Sequence, residues 1–237
     1  MDITVLGLAI APGVAIAVYV YFRDKYEKEP LSLLLMTFIA GIAVVIPAAT
    51  METVLFNIFP LENSLLLHTA VNNFIFVGFT EEFCKYLCLL IIVYPKKEFN
   101  EPFDGITYAV MISMGFATAE NILYAMNGGL QTAVLRIFTA VPAHASFAVL
   151  MGYFVGLSKF RNHHTPFLFL GLFSATIFHG AYDFFLSIDN VGLIALGALV
   201  SLIVGLRLSF KAMKILNENS PFRYSTIMLR QKPSELP

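Results

Sequence analysis

Apolar residues along this chain gather into long runs, and the charges collect in the short stretches between them. Seven runs are long enough to cross about 30 Å of hydrocarbon as helices, which takes about 20 residues each. Their approximate limits are 3–22, 31–50, 70–94, 105–126, 133–157, 167–187 and 192–212. The pattern predicts an all-α, polytopic membrane helix bundle formed by residues 1–212, followed by a polar, Pro-containing tail from 213 to 237. No basic residues precede the first run and no small-residue cleavage site follows it, so it reads as a retained helix rather than a signal peptide. The connection 51–69 mixes apolar and polar residues and reads as an interfacial loop or short helix. Pro47 reads as a helix stop, Pro142 as a kink ahead of His144, and Asn127-Gly128-Gly129 as a plain turn.

Composition supports this class. Apolar residues make up 58% and charged residues 13% of the chain, against about 45–50% and about 25% in soluble domains. That excess of apolar surface needs lipid as its solvent. A soluble enzyme, a secreted disulfide scaffold and a disordered chain are excluded. The net charge of −1 offers nothing to nucleic acid. The two cysteines, Cys84 and Cys88, fall on one helix face inside an apolar run and read as small buried hydrophobes.

Lys and Arg give the orientation. Thirteen of the 15 basic residues lie in the first, third and fifth connections or at the C-terminal end, on one side of a seven-span bundle. The N-terminus is thus expected outside and the C-terminus in the cytoplasm. The exceptions are Lys85, inside the third run, and Arg136, near the outer end of the fifth.

Ionisable groups within the runs are the candidate chemistry, because each costs about 2.5–3.5 kcal/mol to insert. Glu81, Glu82 and Lys85 lie mid-way along the third run, Glu120 in the fourth, His144 in the fifth, and His179 and Asp183 in the sixth. Lys85 is one helical turn from both Glu81 and Glu82, and His179 and Asp183 share a face. Four helices thus bring carboxylates and histidines to compatible depths, leaning towards the outer half of the bilayer. Such a set suits activation of water for amide hydrolysis. A carboxylate serves as general base, and histidines serve as oxyanion donors or metal ligands. The bland alternative is polar glue between helices. Asn72 and Asn73 read as helix contacts or as the lining of an entrance. His68 reads as interfacial, and His163 and His164 as part of a solvated turn.

At these residues the chain resembles the PrsW family of intramembrane proteases. The matching elements are Glu81-Glu82-x-x-Lys85, Asp104-Gly105-Ile106-x-Tyr108 leading to Phe116-x-x-x-Glu120-Asn121, His144 with Gly152-Tyr153 and Gly156, and His179-x-x-x-Asp183. They run from about residue 70 to 187. A more distant similarity reaches the CAAX prenyl endopeptidases, which place Arg one residue later than Lys85 and a His where this chain has Glu120. The resemblance implies a bacterial cell-membrane protease that cuts a membrane-anchored anti-sigma factor at its outer side, so that its partner is a single-span membrane protein. By the same analogy Glu81 activates water, Glu82 and Lys85 orient or balance it, His179 and Asp183 form the oxyanion side, and Glu120 and His144 complete the site.

The metal is open at this stage. Glu120, His144 and His179 are the expected ligands of a Zn²⁺ ion with water in the fourth position, but no HExxH spacing is present, and metal-free glutamate catalysis suits the same residues. The competing function is a proton-coupled transporter or channel using these groups as a relay. It expects inverted repeats, which the chain lacks. A catalytically dead scaffold that binds other membrane helices is a third reading. The substrate, the cut position and the oligomeric state are not legible in the sequence.

Overall fold

The structure is a computed structural model that describes residues 2–61, 65–188 and 191–223. It is helical throughout, with no strand among the described residues. The helices are α1 (Ile3–Arg23), α2 (Leu31–Ile58), α3 (Leu66–Val71), a π-helical segment (Asn72–Phe79), α4 (Thr80–Ile92), α5 (Pro102–Phe138), α6 (Ala140–Lys159), α7 (His164–Leu186) and α8 (Val191–Glu218). Among the described residues, five stretches are long and apolar enough to cross a membrane: Ile3–Arg23, Leu31–Ile58, Pro102–Lys159, His164–Leu186 and Leu196–Glu218.

Two features separate this count from the seven runs. The 58-residue stretch Pro102–Lys159 folds back on itself. Gly129, at φ 65 and ψ −157, breaks the helical path where Asn127-Gly128-Gly129 signals a turn, and only glycine adopts that conformation without strain. The returning chain breaks again at Thr139 before α6 begins. Contacting pairs across the two arms share one midpoint: Pro102 with Gly156, Gly105 with Gly152, Ser113 with His144, and Glu120 with Arg136 all centre on Gly128 or Gly129. The fourth and fifth runs therefore form one antiparallel hairpin. The expected third span is helical from Leu66 to Ile92 but changes winding twice, so none of its three pieces is long by itself.

Several boundaries differ from expectation. Pro47 lies inside α2, which runs on to Ile58 and absorbs the first half of the expected 51–69 connection. A proline is tolerated in a membrane helix because its freed carbonyl finds other partners. Pro142 sits in the first turn of α6, three residues after the break at Thr139, so the fifth run does bend ahead of His144, at the place where a proline cannot continue the preceding helix. Helix α8 continues to Glu218, past the expected end at 212, and Asn217 Nδ2 donates to Arg23 O at 3.1 Å. The tail beyond Arg223 lies outside the described residues.

Local chemistry starts α5 firmly: Glu101 and Asp104 form a reciprocal capping box, with Pro102 in the first turn. Helices α5 and α6 are the most enclosed, and Tyr108, Phe103, Ile106, Met114 and Phe147 are all fully buried. The outer helices turn large apolar side chains outward, among them Leu35, Ile39, Ile46, Ile91 and Phe169. That surface suits lipid rather than water. Cys84 and Cys88 are buried free thiols, as expected.

Candidate functional site

Helix α4 carries Glu81, Glu82 and Lys85 into the interior. The one-turn spacing is realised on both sides: Lys85 Nζ lies 2.9 Å from Glu81 Oε2 and 2.9 Å from Glu82 Oε1. The ammonium also lies 3.4 Å from His144 Nδ1 and 3.9 Å from the centre of the Phe116 ring.

Helix α7 delivers His179. Its neighbour Gly180 packs backbone to backbone on Gly78 of the π-helical segment, where a Cβ on Gly78 would stand 3.0 Å from Gly180 N. Only glycine permits that approach, and it sets His179 Nδ1 2.9 Å from Glu82 Oε1. The other ring nitrogen, Nε2, is 3.1 Å from Asp183 Oδ2 and 3.9 Å from Glu81 Oε2. Facing carboxylates with both nitrogens, His179 donates from both, the hydrogen-bonding pattern of an imidazolium. Phe147 stacks on its ring at 5.0 Å.

His144 stands beside His179, with ring centres 5.2 Å apart. Its Nε2 donates to Glu120 Oε2 at 2.8 Å, and its Nδ1 faces Lys85. An ammonium only donates and a carboxylate only accepts, so this pair of contacts selects the neutral imidazole protonated on Nε2. Glu120 is held in turn by Arg136 Nη2 at 3.3 Å, while Arg136 Nε donates to Asn121 Oδ1 at 2.6 Å. Sixteen helical residues would separate Glu120 from Arg136 by about 24 Å on a straight helix; the reversal at Gly129 brings them together.

All seven sequence-predicted residues therefore join one connected network. Five of them, Glu81, Glu120, His144, His179 and Asp183, line a cavity of about 390 Å³. Glu82 and Lys85 sit behind its wall. Asn73 makes helix contacts, donating to Thr69 O at 2.8 Å and accepting from Ser187 Oγ at 3.1 Å.

The group that could hold a metal ion differs from the expected trio. Ligand atoms of Glu81, Glu82, His144 and His179 all lie within 4.8 Å of one another, whereas Glu120 sits outside this group on the far nitrogen of His144. The donors suit zinc in kind. Glu82 Oε2 is buried without a hydrogen-bond partner. Each histidine also has its Nε2 held by an outer carboxylate, Glu120 or Asp183, the arrangement that orients metal-binding imidazoles. The residues fit a metal ion on two conditions: Lys85 Nζ must withdraw from at least one carboxylate, and His179 must give up its Nδ1 proton.

Sequence reasoning missed two participants. Glu52, on α2, lies close enough to Glu81, Glu120 and His179 to feel their charges. It is the only charged residue in the run 31–60, which was the available signal; taking Pro47 as a helix stop assigned it to a connection. Arg136 stands out as an exception to the charge pattern, but spacing alone does not show the reversal that pairs it with Glu120.

No solved structure matches the chain. Proteins named Protease PrsW do match it. That of Geobacillus kaustophilus is 37% identical over 184 residues, covering 77% of this chain and 80% of its own. That of Bacillus subtilis is 36% identical over 185 residues, covering 77% and 83%. That of Clostridioides difficile is 32% identical over 198 residues, covering 80% and 82%. A family model described as PrsW family intramembrane metalloprotease matches residues 29–208, which include every residue of the network above. The chain belongs to the PrsW family of intramembrane proteases.

Proposed function

We propose that the protein hydrolyses a peptide bond of a single-span membrane protein near the outer face of the bacterial cell membrane, with Glu81 as general base. The observation that carries this assignment is the division of the two glutamates. Glu81 faces the cavity, while Glu82 is held behind it by Lys85 and His179. Water in the cavity gives its proton to Glu81 as its oxygen attacks the substrate carbonyl carbon. His179 is held through Nδ1–H by Glu82, and its Nε2–H, on the cavity side, is shared between Asp183 and the oxygen that becomes negative. Glu81 then returns the proton to the leaving amine as the C–N bond breaks. Glu82 and Lys85 balance charge, and Glu120 with Arg136 orients His144. Were zinc bound, Glu82, His144 and His179 would hold it, and it would polarise the carbonyl and lower the pKa of bound water.

The chain is read as crossing the membrane seven times, with the Leu66–Ile92 helical stretch and both arms of the 102–159 hairpin each passing once. Basic residues at alternate connections support an N-terminus outside and a C-terminus in the cytoplasm. An anti-sigma factor is the substrate that the family resemblance implies.

The test is mass-spectrometric profiling of new N-termini in host membranes, comparing wild type with Glu81→Gln at equal abundance. The expected result is a wild-type-specific cut in the outer juxtamembrane region of a single-span protein. Identical N-termini in both, together with a proton or solute flux that differs between them, would overturn the protease reading in favour of the relay.

A further inference from the structure

The motif Asp104-Gly105-Ile106-x-Tyr108 takes no part in the network above. Asp104 lies 16 residues before Glu120 on α5, about 24 Å away along the helix. It sits at the other end of the bundle, among carboxylates from the α1–α2 connection and the start of α5. Oxygens of Asp24, Glu101 and Asp104 lie within 4.8 Å of one another, and so do those of Glu27, Glu29 and Asp104. Asp104 belongs to both groups.

These are buried groups rather than a solvated acidic patch. Asp24 and Glu29 are 2% exposed, Glu101 1% and Asp104 0%. The protein secures one oxygen on most of them. Asp104 Oδ2 accepts from the backbone N–H of Asn100 at 2.7 Å and of Glu101 at 2.8 Å. Glu29 Oε2 accepts from the Tyr108 hydroxyl, Glu27 Oε1 from Asn100 Nδ2, and the Glu101 side chain from Ser220. With every carboxyl ionised, the second oxygen of each, Asp24 Oδ2, Glu27 Oε2, Glu29 Oε1, Glu101 Oε2 and Asp104 Oδ1, is buried and receives no hydrogen bond, and the Glu29 and Asp104 carboxyls lie close enough to share a proton when one is protonated. Nor do nearby cations answer them. Lys28 Nζ donates to the carbonyls of Tyr21 and Asp24, and Lys159 Nζ to those of Tyr94 and Lys96. Among the described residues, no Lys or Arg nitrogen lies within 4.0 Å of these carboxylates.

We infer that this cluster is a binding site for a hard divalent cation of the calcium type, held by Asp24, Glu101 and Asp104 with Glu27 and Glu29 beside them. The donors are all oxygen, which selects against soft metals. Calcium takes six to eight oxygens at about 2.3–2.6 Å, so oxygens across the ion stand up to about 5.2 Å apart; the shorter bonds and strict octahedron of magnesium suit dedicated carboxylate cages less well. Burial first, and the neighbouring carboxylates after it, push Asp24 and Glu29 up to about 7, against the opposing pull of Lys28 on Asp24 and of the Tyr108 hydroxyl on Glu29.

Terbium, a luminescent calcium analogue, provides the test on full-length purified protein stripped with a chelator. The chain has no Trp, so tyrosine is the sensitiser, and Tyr108 hydrogen-bonds Glu29 directly. Tyrosine-excited terbium emission is expected to saturate and to be competed away by Ca²⁺ at lower concentration than by Mg²⁺. Asp24→Asn and the half-buried, structurally milder Glu27→Gln are expected to weaken binding about tenfold or more, and His179→Ala to leave it unchanged. Emission that Ca²⁺ does not displace, wild-type affinity in both carboxylate variants, or loss in His179→Ala would overturn the assignment. The last would move the ion to the catalytic network.

Discussion

Replacing Lys85 by Met keeps most of the side-chain volume and removes only the charge. The three side chains it links are at most 7% exposed. Breaking a buried ion pair by deleting one partner costs about 3–5 kcal/mol, because the remaining charge stays desolvated. The loss should fall unequally. Glu82 keeps His179 at 2.9 Å, whereas Glu81 retains only His179 at 3.9 Å. The stranded charge is therefore on Glu81, and adding Glu81→Gln to Lys85→Met should restore more stability than adding Glu82→Gln. At about 2–4 °C per kcal/mol for a chain of this size, Lys85→Met should lower the melting temperature by about 6–20 °C. Both cysteines of the chain are buried on α4, so a thiol-reactive fluorophore reports unfolding in detergent directly. A melting temperature within about 2 °C of wild type, or equal rescue by the two glutamine substitutions, would refute the reasoning.

Asp183→Asn should cut proteolysis about 10–100-fold while leaving the melting temperature unchanged, since its role is to fix His179 from the partly open side of the cavity; cleavage rate and thiol exposure measured on the same sample check this. Gly105→Ala should destabilise the protein by about 1–3 kcal/mol, because its Cβ would stand 2.7 Å from Gly156 Cα, while Gly7→Ala, with open space around it, should be neutral in the same melt. In chelator, stability should fall as pH rises from about 4, where carboxyls ionise in the unfolded chain, through about 7, where Asp24 and Glu29 ionise in the folded one. The folded state holds more protons across that window, so raising the pH works against it. Melting curves across this range test the sign, and Asp24→Asn should flatten the dependence.

The buried charges were legible because lipid makes them expensive: a Glu or His inside an apolar run stands out, and one-turn spacing predicts Glu81–Lys85 and His179–Asp183 without a structure. Contacts between runs were not legible. That Glu82 stands against His179 while Glu120 takes the far nitrogen of His144 depends on how α4, α5, α6 and α7 approach one another, which composition does not reveal. The π-helical winding before α4 is equally silent, since Asn72–Phe79 has the apolar character of its neighbours. Pro47 misled because its usual meaning belongs to water, where a freed carbonyl and a lost donor end a helix; within a bundle α2 continues and delivers Glu52.

The shared midpoint of the α5–α6 hairpin also constrains how the sequence can drift. Glu120 and Arg136 meet because each lies eight residues, or about two helical turns, from Gly128. Lengthening the tip around Gly128 and Gly129 would leave every cross-arm pair intact. One residue gained or lost on a single arm would rotate everything between it and the tip by about 100° and shift it by about 1.5 Å, parting Glu120 from Arg136 or Ser113 from the His144 carbonyl. Length variation among relatives should therefore concentrate at the tip, and indels within the arms should be compensated in pairs or be absent.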